Sequence, residues 1–96
     1  MRRLVILPAA RADLIEIGDF IAQDNPGRAL SFLAEIEAKM QEASERPESF
    51  PGRDDVHAGL RSARHGRYLI FFHNTDDEVQ IVRVLHGARD LPRMFG

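Results

Sequence analysis

The hydrophobic period changes once along this chain, and that change sets its fold class. Through residues 10–43 apolar side chains recur every three or four positions: Ala10, Leu14, Ile17 and Ile21, then Ala29, Leu33, Ile36, Met40 and Ala43. That spacing places each set on one face of a 3.6-residue helix. After residue 59 the pattern gives way to short runs rich in aromatic and β-branched residues, which mark strands. A chain patterned this way must lay a helical layer on a sheet, because neither layer buries its apolar face alone.

Local signals set the boundaries. Residues 3–7 (RLVIL) read as a first strand, and Pro8 suits the first turn of a helix running to about Gln23. Asn25-Pro26 restarts the chain: Asn25 can cap a second helix and Pro26 can occupy its first position, with Pro47 beyond its end. Two helices joined by so few residues form an antiparallel hairpin. Residues 47–59 (PESFPGRDDVHAG) form a loop, pinned to the core by Phe50. Three strands follow over residues 60–64, 67–73 and 79–85, with Asn74-Thr75-Asp76-Asp77 turning between the last two. The middle strand, RYLIFFH, is apolar on both faces and belongs in the centre of the sheet. The tail GARDLPRMFG reads as a short turn or helix with a loose end. The expected order is β-α-α-β-β-β: an α+β fold with an antiparallel helical hairpin on a small, mostly antiparallel sheet.

Composition bounds the chemistry. With 96 residues the chain reads as one domain over residues 1–96 with one core. It has no cysteine, which removes disulfides, thiolate nucleophiles and thiolate metal sites. The apolar start, Leu4 to Leu7, is too short for a signal-peptide core, and no run nears the ~20 apolar residues of a membrane span. A cytoplasmic protein without membrane contact is the expectation. The net charge of −2 argues against a general nucleic-acid binder.

Enzymatic constellations are poorly supported. His57, His65, His73 and His86 have no helical i, i+4 spacing for a metal. Ser31, Ser44, Ser49 and Ser62 have no nucleophile-elbow context, and Asp54-Asp55 and Asp76-Asp77-Glu78 fit solvated turns better than a catalytic pair. No glycine-rich phosphate loop is present, so neither metal nor other cofactor is expected.

Two features do point to function. Arginine and histidine gather on the strand half, at Arg61, Arg64, Arg67, Arg83, His86 and Arg89, and no acid interrupts residues 56–75. Alternation puts Arg83 on the face of Val79, Ile81 and Leu85. There it needs either an internal partner, such as Asp90 or a helix carboxylate, or a partner from outside, an acidic protein segment or nucleic acid received by a basic cleft. The second feature is spare apolar surface: Ile15 and Phe20 on the first helix, Leu30 and Phe32 on the second, all off the main stripes. Such residues widen a core or form a groove for a partner segment.

These segments resemble the RelE/ParE toxin superfamily. The run GLRSARHGRYLIFFHNTDDEVQIVRVLHGARDLPR carries a Leu-Arg pair after a proline-rich loop, an aromatic strand, a polar turn, an Ile-x-Arg-x-Leu-His strand and an Ala-Arg-Asp turn. PAARADLIEIGDFIAQDNP supplies the matching first helix and the proline entry to the second. The ending is similar to the ParE branch. That resemblance implies a non-enzymatic toxin that poisons DNA gyrase, bound and neutralised by a ParD-like antitoxin through which alone it meets DNA. It implies partner-facing roles for Arg61, Arg83, His86, Arg89 and Asp90, to which the two features above add Leu30, Phe32 and Arg64. The alternative it leaves open is a RelE-like mRNA endonuclease using His86 with Arg61 and Arg83. Against that, the only lysine, Lys39, lies on a helix, and the only tyrosine, Tyr68, lies inside a strand. A third possibility is a member that only binds its antitoxin within a DNA-bound repressor complex.

Overall fold

A computed structural model of the chain describes residues 2–88 and Arg93. Strand β1 (Arg3–Ile6) leads into helix α1 (Pro8–Ala22) and helix α2 (Pro26–Glu45), then a single 3-10 turn (Pro47–Ser49). Strands β2 (Arg61–His65), β3 (Tyr68–Asn74) and β4 (Glu78–His86) complete the expected order. Asn25 caps α2 as its residue type promised: its side-chain oxygen accepts from Arg28 N at 3.0 Å, with Pro26 following at the first helical position. Among the described residues no helix is long and apolar enough to cross a membrane.

The sheet runs β1-β4-β3-β2. β2, β3 and β4 pair antiparallel in sequence, whereas β1 lies parallel to β4, so the first strand neighbours the last. β2 and β3 meet in a two-residue turn whose first member, Gly66, has φ +60°, a region glycine enters without strain. β3 is central, and Leu69, Ile70, Phe71 and Phe72 are all buried. The helical stripes pack where their spacing placed them: Ala10, Ile17, Ile36, Met40 and Ala43 meet Ile70, Phe72, Val79 and Ile81. Gly18 lets the helices approach closely, since a Cβ there would lie 3.0 Å from the Leu33 Cδ1.

Three features depart from the sequence reading. The other sheet face carries its own apolar cluster, in which Val56 and Leu60 of the loop cover Leu69, Phe71 and Leu85. Phe50 does anchor the loop, edge-on to Phe72 at 5.9 Å, but it shares that task with these two. Leu60 itself precedes β2 rather than starting it. The most consequential departure is in β4. Phe71 pairs with Arg83 but Phe72 pairs with Ile81, leaving Val82 as an extra residue. This bulge breaks the alternation. Val79 and Ile81 face the helices as expected, but Leu85 belongs to the opposite cluster, while Arg83 reaches α1. Arg83 and Leu85 therefore do not share a face.

A candidate partner-binding cleft

The bulge turns Arg83 toward the helical layer, and Asp13 of α1 receives it. Nε donates to Asp13 Oδ2 at 2.8 Å and Nη2 to Oδ1 at 2.9 Å, a bidentate fork. The amide of the adjoining Val84 donates to Oδ2 at 2.9 Å. Asp13 is 9% exposed, so three donors compensate a carboxylate withdrawn from water. Hydrogen bonding to Asp13 raises the Arg83 pKa, with burial opposing it. The helix carboxylate, one of the internal partners open to Arg83 in the sequence, is thus the one it finds. Sequence reasoning did not single out Asp13. Its position carried a signal, because it sits within the buried Ala10–Ile17 stripe, where an acid needs a partner.

Beside this fork a cleft of about 1040 Å³ opens between the helices and the ends of β3 and β4. Its apolar lining includes Ile17, Phe20, Ile21 and Phe32, while Arg67, Tyr68, Arg83 and His86 line it from the sheet side. Phe20 is 68% exposed, unusual for so large an apolar side chain. Phe32 is half-buried, its ring 5.2 Å from His65 and 5.7 Å from Tyr68, with the Arg28 guanidinium 5.2 Å from its centroid. Glu35 fastens this corner from outside. It accepts from Arg28 at 2.6 Å and lies 2.8 Å from His65 Nε2, and these contacts, Arg28 first, hold its carboxyl below the ordinary value.

His86 has a defined role in this geometry. Its ring stands edge-on to Tyr68 at 5.5 Å, and its Nδ1 accepts from the Ala88 amide at 3.1 Å. An amide can only donate, so Nδ1 holds a lone pair and the neutral ring carries its proton on Nε2. His86 thus presents a donor.

The described residues singled out in the sequence scatter over four places. Phe32, Arg83 and His86 share the cleft. Leu30, two positions from Phe32 and so across the helix, is 75% exposed; Ile15 of α1 is 62% exposed. Arg61 donates to Phe50 O at 2.6 Å and ties the loop to the sheet. Arg64 is exposed on β2 opposite Leu69, whose side chain faces away from the helices. Arg89 and Asp90 lie outside the described residues. Arg67, named among the strand-half arginines but not in the partner-facing set, and Tyr68, in neither, also line the cleft; the β2–β3 turn places them there.

Three comparisons with known proteins bear on this site. A family model described as the ParE toxin of the type II toxin–antitoxin system parDE matches residues 4–91. A solved chain from the chromosomal ParDE toxin–antitoxin system of P. aeruginosa superposes with a TM-score of 0.76 at 24% identity, covering 90% of this chain and 96% of that one. This likeness shows a shared fold. No curated protein matches the sequence.

Proposed function

Because the chain belongs to the ParE toxin family of type II toxin–antitoxin systems, we propose that it acts in the cytoplasm by binding DNA gyrase and is silenced by a ParD-like antitoxin. The family match over residues 4–91 carries this reading. The surface supports it. Ile15, Phe20 and Leu30 stand exposed on the helical hairpin, and an amphipathic antitoxin segment laid across the helices would cover such side chains. DNA contact then runs through the antitoxin.

The cleft supports binding over RNA cleavage. A general base needs a lone pair aimed at its substrate. In His86 the Nδ1 lone pair is taken by the Ala88 amide, and Nε2 bears the proton. Arg83 is committed on two of its nitrogens to Asp13. Both side chains are arranged to hold something in place rather than to take a proton.

The test is to induce the chain alone in bacteria and follow DNA and protein synthesis separately by pulse labelling. Early loss of DNA synthesis, filamentous cells and continuing translation are expected. Early loss of translation would overturn the gyrase reading in favour of mRNA cleavage. For the antitoxin surface, Leu30→Glu should weaken binding of a ParD-like antitoxin without changing the melting temperature. Unchanged affinity would remove α2 from that interface.

A further inference from the structure

The sheet's two edges are finished differently. On the outer side of β2 the chain's own loop supplies a partner: Gly52 bridges Arg61, and the Ser62 amide donates to Pro51 O at 3.1 Å. β1, at the other edge, has no such cover. The Arg3 amide donates to Asp77 O at 2.8 Å and the Leu7 amide to Ile81 O at 3.0 Å. Along a paired strand alternate residues turn their backbone groups the same way. Arg3, Val5 and Leu7 therefore face β4, and the N–H and C=O of Leu4 and Ile6 face out. Among the described residues no backbone group outside the sheet reaches them. Such an unpaired row is a template for another strand.

The side chains decide which strand. Leu4 and Ile6 are half-buried against the helix-side cluster, whereas Val5 points to the other face and is packed in neither apolar cluster. Charges beside an edge commonly keep strands apart. Here both arginines are held by their own chain: Arg2 donates to Thr75 O at 2.8 Å and to Glu48 at 3.3 Å, and Arg3 pairs with Glu78. We propose that β1 pairs antiparallel with β1 of a second copy, about a two-fold axis at Val5, joining two four-stranded sheets into one. The outward residues lie two apart, so Leu4 of each copy faces Ile6 of the other and each outward N–H meets an outward C=O. Like faces stay together in this register. Leu4 and Ile6 carry the helix-side layer across the seam, Val5 meets Val5 on the far side, and Arg3 stands beside Leu7 rather than beside a like charge. Pro8 has no N–H and ends the row. The seam is therefore short, and the dimer belongs with the small, transient interfaces. This pairing is independent of what the chain poisons.

The full-length protein would be followed by sedimentation velocity and amide hydrogen exchange over a dilution series reaching about 1 mM, where so small an interface can assemble. A monomer–dimer equilibrium is expected. The Leu4 and Ile6 amides, fast to exchange when dilute, should slow by about tenfold once most of the protein is paired. Those of Val5 and Leu7, already bonded to β4, should be protected at every concentration. Val5→Lys sets two cations on the axis and should abolish the dimer, while the dilute variant keeps the parent circular dichroism spectrum; Val5→Thr should still pair. A monomer at every concentration, or a dimer in which Leu4 and Ile6 still exchange fast, would overturn the proposal. So would a Val5→Lys variant that dimerises as tightly as the parent. Protection of Leu4 and Ile6 only on adding a ParD-like antitoxin would also overturn it, by giving the edge to that partner.

Discussion

Replacing Asp13 with alanine is the sharpest test of how this fold is held. The substitution strips the fork from Arg83 and the acceptor from the Val84 amide, two donors on a bulged strand that cannot reach solvent equally. Removing one member of a buried ion pair costs about 3–5 kcal/mol. Here the Arg83 side chain keeps 22% of its surface in solvent. Water can therefore reach the orphaned guanidinium, and a loss near 2–3 kcal/mol is expected, on the order of the lower end of that range. In a domain of this size each kcal/mol moves Tm by about 4–8 °C, so the drop should be about 10–20 °C. Asp13→Asn, which keeps an acceptor for Val84, should lose less than Asp13→Ala. The double variant Asp13→Leu with Arg83→Met, which removes both charges and fills the space, should return to within about 1 kcal/mol of the parent. Urea unfolding followed by circular dichroism measures these three together with the component singles Asp13→Leu and Arg83→Met. If Asp13→Ala unfolds within about 0.5 kcal/mol of the parent, or if the two single losses simply add in the double variant, the fork does not hold the bulge to α1.

Further expectations concern the helices and their links to the sheet. Asn25→Ala removes the α2 cap and should lower stability by about 1 kcal/mol, read from the same urea curves. Gly18→Ala presses on the flexible end of Leu33 and should be nearly neutral, whereas Gly18→Val should cost about 1–3 kcal/mol by prying the hairpin apart. Arg28 and His65 hold the Glu35 carboxyl below its ordinary 4.5. A depressed carboxylate stabilises above its unfolded pKa and loses that contribution as pH falls through the folded value. The Glu35 contribution to the link between α2 and β2 should therefore fade in acid, below pH 4.5, and carboxyl NMR should show Glu35 titrating below its ordinary value.

The helices and the core strand were legible because their information is local. Stripe spacing, Asn25-Pro26 and the double-sided β3 each state their role within a few residues. The cleft was only partly legible because its making is not local. Nothing in the residue types of Val82 and Arg83 announces a bulge, since a bulge is a mismatch in pairing between two strands. Alternation carried past it assigned Arg83 the wrong neighbour in Leu85. The partner of Arg83 lies seventy positions away on α1, and only the placement of an acid in a buried stripe hinted that Asp13 needed one. Of the apolar residues off the main stripes, Ile15, Phe20 and Leu30 are exposed, whereas Phe32 packs against the core. Their separation into a cleft member, Phe32, and an outer-surface member, Leu30, follows from the two-residue offset on a helix.

The parallel pairing of β1 with β4 has a consequence in time. The first strand made by the ribosome lies against the last, and the register from Arg3 with Glu78 to Ile6 with Ile81 closes nearly the whole chain into one loop. Contacts so distant in sequence form late. β1 has no neighbour to complete it until β4 emerges, and the cleft wall that carries Arg83 and His86 is made by that same strand. An unfinished copy, whether stalled or truncated before Glu78, has neither a closed sheet nor a donor wall. The fold thus ties any harm this chain can do to the completion of its own synthesis.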